Sequence, residues 1–392
     1  MRSRDVRLYL VGLTASLIGT SAMTLVAGIW VKTLTGSASA AALVSVCVFV
    51  PALLAPLAGL VADRVPRRRL LLLVNLSAAI GLLPLLLVRS SSGVWVIFVV
   101  MLGYGVVLVL IDPAETALFT ELVPAEERGQ LNGLRLTLQE GAKLLAPLAG
   151  AGLFVVLGGG LVAALDAATF LIAAVAVTLL RAPGSRPERR DRLSWRSEVT
   201  AGLTHLRRTP GLGRLVTVAA LAMAVSGLAV AAQFALVDAL NRPPAFLGVL
   251  TSLLGAGSIC AGVTSGRVMR RHDERHLALL GLLAGVAGYL LIATGWLPAV
   301  AVGQVVSGFY LPWVVIAAIT AGQRLTPDHL QGRVAAAITL LLFAAQPLTQ
   351  AGGAALINVL DYRSVYVLVA VLGLLLAGGL RNTPSYYASP SR

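Results

Sequence analysis

Residues 59–69 read Gly59-Leu-Val-Ala-Asp63-Arg64-Val-Pro-Arg67-Arg68-Arg69, a short basic connection between two long apolar stretches. Residues 262–272 read Gly262-Val-Thr-Ser-Gly266-Arg267-Val-Met-Arg270-Arg271-His272, again between apolar stretches and 203 positions later. A second correspondence falls at the same offset. Pro124 in Leu-Val-Pro-Ala-Glu-Glu-Arg-Gly129 aligns with Pro327 in Leu-Thr-Pro-Asp-His-Leu-Gln-Gly332. Two independent matches at one spacing mark a duplicated unit, so the fold is read from one half and tested on the other.

Each unit is too apolar for water. Residues from the AVILMFWYC set make up 57% of the 392 residues and charged residues only 12%. That is too little charge to solvate a soluble surface of this size, and the excess apolar area needs lipid. About 20 predominantly apolar residues cross a bilayer as a helix. Twelve such runs are expected, at 8–31, 38–62, 70–88, 94–117, 131–157, 160–180, 212–237, 245–266, 277–295, 298–322, 333–358 and 363–380. The glycines Gly158, Gly159 and Gly160 read as the tight join between runs five and six. The fold class is therefore an all-α integral membrane protein, with twelve transmembrane helices in two pseudo-symmetric six-helix bundles. Its expected parts are a bundle at 1–181, a linker at 182–211, a second bundle at 212–381 and a tail at 382–392.

The net charge of +14 has a topological explanation. Of the 31 basic residues, 26 fall at the termini or in even-numbered connections, nine of them in the linker and its flank alone. The opposite side holds only Lys32, Arg89, Arg242 and Arg363, while Lys143 lies within a run. The positive-inside rule then puts both termini in the cytoplasm and the chain in a cell (inner) membrane. With the charge so assigned, no nucleic-acid partner is expected. In the linker, Trp195, Val199, Leu203 and Leu206 recur at helical spacing beside Arg196, Arg207 and Arg208, which reads as an amphipathic helix on the inner membrane face. Cys47 and Cys260 sit inside apolar runs, and His205, His272, His276 and His329 are scattered over polar connections, so no metal site is expected.

The stretch 59–69 resembles motif A of the major facilitator superfamily, a Gly-x-x-x-Asp-Arg-x-x-Arg-Arg signature between the second and third helices. Span count, halves and central linker fit the same family over the whole chain. Thr35-Gly36-Ser37, Glu121-Leu-Val-Pro124 and Leu165-Asp166-Ala look like the macrolide, multidrug and siderophore exporter branch. Ala146-Pro147-Leu-Ala-Gly150 resembles motif C of proton-driven drug antiporters, with Ala146 and Ala151 where that motif has glycine. The resemblance implies a secondary active exporter of hydrophobic or amphipathic small molecules, including antibiotics, working by alternating access and proton antiport. The proton gradient would be its energy source, with no bound cofactor. The protein's partners would be the bilayer, the substrate and protons, and it would act as a monomer. It also implies a conformational latch at Gly59, Asp63, Arg64, Arg67 and Arg68, whose arginines pair with Asp112, Glu115 and Glu121, and a cavity lined by runs 1, 4, 7 and 10.

Ionisable residues inside hydrocarbon cost about 2.5–3.5 kcal/mol or more each and need a partner, a proton or water. Asp112, Glu115, Glu140 and Asp166 are the proton-coupling candidates. Asp112 and Glu115 read first as latch acids, and Asp166 as either an interfacial residue or a proton carrier. Glu140 lies about 13 Å into run five at 1.5 Å per residue. Lys143, three residues on, shares its face. A fixed pair, a titrating carboxylate and a counterion for a cationic substrate all remain open there. Gln139, Gln233, Gln304, Tyr310, Trp313 and Gln346 are the candidate cavity residues, with helix-packing hydrogen bonds as the alternative for each. A dedicated exporter of a natural product, siderophore or lysolipid fits the same features. A membrane-embedded enzyme does not, since no His/Asp or Ser/His arrangement stands at the membrane boundary; a scaffold lacks any specific support.

Overall fold

The computed structural model describes residues 2–54, 65–123, 127–180, 195–327 and 330–381. They form helices and short connections, with no strand among the described residues. Run one is Arg2–Thr35. Run two starts as Ala38–Phe49 and tightens into a 3₁₀ turn at Val50–Leu54, with Ser37 capping it by accepting from the Ala40 amide. Runs three and four are Arg67–Leu82 and Val94–Leu122. Runs five and six form one continuous assignment, Arg128–Leu179, reversed at a single residue, Gly158, with φ 77° and ψ 167°. That backbone state favours glycine because it lacks a Cβ. The three-glycine join is thus a one-residue reversal. Gly159 serves a separate need, since a Cβ there would run into the indole of Trp30.

The second half continues with Pro210–Ala239, Leu247–Met269 and Glu274–Ala293 as runs seven to nine. Run ten is split into Leu297–Ser307 and Tyr310–Leu325, and run eleven into Gln331–Ala344 and Gln346–Leu356. Run twelve is Tyr362–Arg381. Ten stretches among the described residues are long and apolar enough to span a bilayer. One of them, Gly133–Leu179, contains both runs five and six, and run two is present as the shorter Ala38–Leu54. Ile80, Trp95, Val155, Val263 and Leu375 are exposed. Water would penalise that apolar surface, whereas acyl chains cover it.

The chain forms two compact units. The first comprises Met1–Arg190 with Arg242–Ser252, the second Asp191–Asn241 with Leu253–Arg392. Within the first, run one packs on five and six, run three on four and six, and run two on four. Within the second, run seven packs on ten, eleven and twelve, and run nine on ten and twelve. Four of these pairs recur with six added: one with five and six becomes seven with eleven and twelve, and three with four and six becomes nine with ten and twelve, the structural counterpart of the 203-residue repeat. Small residues set the close crossings, as they do where lipid leaves no hydrophobic force between helices. A Cβ on Gly105 would enter the Val48 carbonyl between runs two and four, and one on Gly257 would enter the Val305 carbonyl between runs eight and ten.

The linker helix is Trp195–Arg208. It packs on the first segment of run eleven, with Gly202 against the Arg333 carbonyl and Ala337, Leu206 buried, and the His205 ring 3.3 Å from the Leu325 carbonyl. Run eleven thus covers Gly202, while Arg207 and Arg208 remain exposed. Near the arginine-rich ends of runs nine and ten, Arg324 donates to both oxygens of Glu274 at 2.8 and 3.1 Å. Asp273 caps run nine by accepting from the His276 amide at 2.9 Å. Burial pushes the Asp273 carboxyl up, but the His276 amide and ring and the Arg275 charge outweigh it and hold the group below its ordinary range.

Candidate functional site

In the first unit, run six carries Asp166 into the packed interior, where it is only 2% exposed. The Tyr104 hydroxyl of run four donates to Oδ2 at 2.7 Å. The Thr169 hydroxyl lies 3.1 Å from Oδ1 and 2.8 Å from the Asp166 carbonyl, so its one proton is shared between them. Phe170 meets the Tyr104 ring edge-on at 5.7 Å, which fixes the phenol. Gly19 of run one closes the pocket: a Cβ there would overlap Oδ1 and the Thr169 hydroxyl. Among the described residues, no cation lies within ion-pair distance of Asp166. Two neutral donors do not cancel a full charge in a dry interior. A proton can, without disturbing the packing.

The other acids are placed differently. Glu140 pairs with Lys143 at 2.7 Å, and their side chains are 31% and 63% exposed. The fixed-pair geometry is present, at a partly exposed position. Asp112 is exposed. Glu115 faces the charges of Arg135 and Asp112. The Arg135 guanidinium also lies over the rings of Phe119 and Tyr9, at 5.0 and 5.9 Å. Of the expected latch, Gly59, Asp63 and Arg64 lie outside the described residues, as does the Glu121 side chain. Arg68 donates to the Thr178 carbonyl of run six. Pro147 and Gly150 of the motif C-like stretch form a helix crossing. Gly150 sits against Ala22 of run one, and Gly248 against the Pro147 carbonyl and Ala151. The Ser252 hydroxyl donates to the Leu144 carbonyl one turn before that proline, at 2.8 Å.

The second unit contains a cavity of about 110 Å³. Gln233 of run seven, Gln304 and Tyr310 of run ten and Gln346 of run eleven line it, together with Ser226, Ser258, Tyr289, Ser307 and Tyr366. Four of the six candidate cavity residues are therefore brought together. Trp313 is not among the lining residues: its indole N–H donates to the Ala261 carbonyl at 2.8 Å and its ring meets Phe309 edge-on. Gln139 belongs to the other unit. The serines and the tyrosines of runs nine and twelve escaped the sequence reading. Their only signal was the rarity of polar residues in otherwise aliphatic runs.

The split in run ten shapes this cavity. Pro312 has no N–H for the carbonyl of Gly308, four residues back, and in a membrane an orphaned carbonyl costs several kcal/mol. Ser258 of run eight donates to that carbonyl at 3.1 Å. Tyr310, one residue into the second segment, reaches the Ala222 carbonyl of run seven at 3.0 Å, and Tyr366 reaches that of Ala229 at 3.4 Å. Tyr289 stands edge-on to Tyr310 and stacks on Tyr366. Gln304 is 2% exposed. Its side-chain amide, like those of Gln233 and Gln346, has no hydrogen-bond partner among the described residues.

A family model described as Major Facilitator Superfamily matches the chain over residues 8–234 and again over 214–385. The chain belongs to that superfamily. Solved structures of the same fold include the nucleoside transporter NupG, at TM-score 0.75 and 12% identity over 96% of this chain and 98% of that one. A bacterial homologue of the human lysosomal transporter Spinster, inward-facing and unoccupied, gives 0.73 and 14% over 97% and 96%. A POT family transporter in complex with a thioalcohol-conjugated peptide gives 0.76 and 11% over 95% and 94%. No curated protein sequence matches. The molecule is thus a multi-pass membrane transporter of the major facilitator type, and at these identities the likeness to individual transporters concerns the fold alone.

Proposed function

We propose that this transporter exports hydrophobic or amphipathic small molecules, drugs among them, in exchange for protons, with both termini in the cytoplasm of a cell whose inner membrane it spans. The observation that carries the reading is Asp166: an acid enclosed by runs one, four and six, held by two hydroxyl donors and matched by no cation. Such a group changes charge with each proton it binds or releases. Tyr104 and Thr169 hold its oxygens in place through that change, and Gly19 lets run one approach closely enough to exclude water. Coupling follows if the enclosure opens to water in one state of an alternating-access cycle and closes in the other. The substrate is received by the second unit's cavity, whose aliphatic and aromatic walls suit an apolar body and whose amides suit a polar end.

Proteoliposomes with an imposed proton gradient test the proposal directly. A fluorescent amphiphile is expected to accumulate against its gradient, and a protonophore is expected to collapse that accumulation. Flux indifferent to the proton gradient would remove the coupling, and absence of flux for every amphiphile tested would remove the export reading. Glu140→Gln provides the internal control. Because Glu140 is already paired with Lys143, its charge is matched without a proton, and the variant is expected to keep proton-driven flux within about twofold. Loss of coupling in that variant would transfer the proton-carrying role from Asp166 to Glu140.

A further inference from the structure

The chemistry of the second unit's cavity narrows what can enter it, given the transport reading above. We infer that it receives an uncharged group rich in both hydrogen-bond donors and acceptors, a glycosyl or carboxamide end of an amphiphile, and rejects cationic ends. No Asp, Glu, Lys, Arg or His is among its lining residues. A charged group entering it would leave its hydration shell without meeting a counterion, and the low-dielectric surroundings make that costly.

The hydrogen-bonding capacity is specific in kind. Gln233, Gln304 and Gln346 each offer two N–H donors and a carbonyl acceptor, unspent among the described residues. The hydroxyl protons of Ser226, Ser258 and Ser307 go to helix carbonyls, leaving their lone pairs as acceptors. A ligand must therefore both give and accept hydrogen bonds, as sugar hydroxyls and carboxamides do. Gln304 makes this a built site: a 2%-exposed amide without a protein partner loses hydrogen bonds to water unless something in the cavity replaces them.

The tyrosines raise a rival, since aromatic rings can cage a quaternary ammonium. Their geometry opposes it. Tyr289 and Tyr310 meet at 84° with centroids 5.8 Å apart, and Tyr289 and Tyr366 stack at 25° and 6.0 Å. The rings are engaged with one another, and the hydroxyls of Tyr310 and Tyr366 are tied to helix carbonyls.

Calorimetric titration of the purified full-length transporter with three probes of equal chain length decides the matter. The probes are hexyl β-glucoside, hexanamide and hexyltrimethylammonium. At least one neutral probe is expected to bind ten or more times tighter than the ammonium; the stronger of the two tells sugar from amide. Gln304→Leu is expected to weaken that probe about tenfold, the value of one unreplaced hydrogen bond, while leaving the ammonium unchanged. Gln233→Leu, at a half-buried position, should give the same pattern if Gln304→Leu does not fold. Tighter binding of the ammonium, or equal binding of all three, overturns the inference. Neutral-selective binding without any amphiphile flux would leave the inference standing and remove the export reading; proton-driven flux with ammonium preference would do the reverse.

Discussion

Asp166→Asn is expected to yield a folded transporter that binds substrate within about twofold of the parent yet loses at least nine-tenths of proton-driven accumulation. Asparagine is nearly the same size as aspartate. Its carbonyl can accept from Tyr104 and its amide can donate to the Thr169 hydroxyl, so the packing of runs one, four and six is retained. What disappears is the capacity to change charge. The measurement is paired: accumulation under a proton gradient, and downhill exchange of labelled substrate with no gradient. Loss of the first with survival of the second identifies a coupling residue. Loss of both would assign Asp166 to structure, and survival of both would remove it from the proton path.

Gly257→Leu is expected to be the most damaging single substitution for folding of the second unit. The glycine lies where run eight crosses run ten, and an added Cβ would occupy the position of the Val305 carbonyl oxygen. A backbone group fixed in a helix cannot rotate aside as a side-chain tip can, so the runs must separate. Overpacking typically costs about 1–3 kcal/mol and more where the backbone must shift; separation here also weakens the Ser258–Gly308 bond. A fall in melting temperature and in folded yield should far exceed that of Gly262→Leu, one and a half turns further on, where an added Cβ meets open space. Equal effects at the two positions would show that helix propensity, not the crossing, accounts for the loss.

Much of this architecture was legible in the residue string because lipid imposes long apolar runs and the duplication states itself twice at one offset. The neighbourhood of Glu140 and Lys143 was legible too, since helical periodicity alone sets a three-residue pair on one face. The burial of Asp166 was not. It depends on Gly19 and Tyr104, which lie 147 and 62 positions away along the chain and carry no local mark of their partner. The packing of the linker helix on run eleven was illegible for a related reason: an amphipathic stripe states that one face needs cover but not which neighbour supplies it. The contact of Arg68 with the Thr178 carbonyl, 110 positions away, was equally illegible, because a helix's last carbonyls accept hydrogen bonds without any mark in the sequence.

Run ten, finally, answers to two different neighbours. Its first rod is clasped to run nine, where Gly288 and Gly303 each lie against the other's carbonyl. Its second rod is tethered to run seven by the Tyr310 hydroxyl. That rod also rests on run nine, whose Gly281 and Gly285 lie against Tyr310, so Tyr310 bridges runs seven and nine just past the joint Gly308-Phe309. Gln304 and Tyr310 flank that joint on opposite rods and line the same cavity, so any bend at the joint would reshape the hollow's walls.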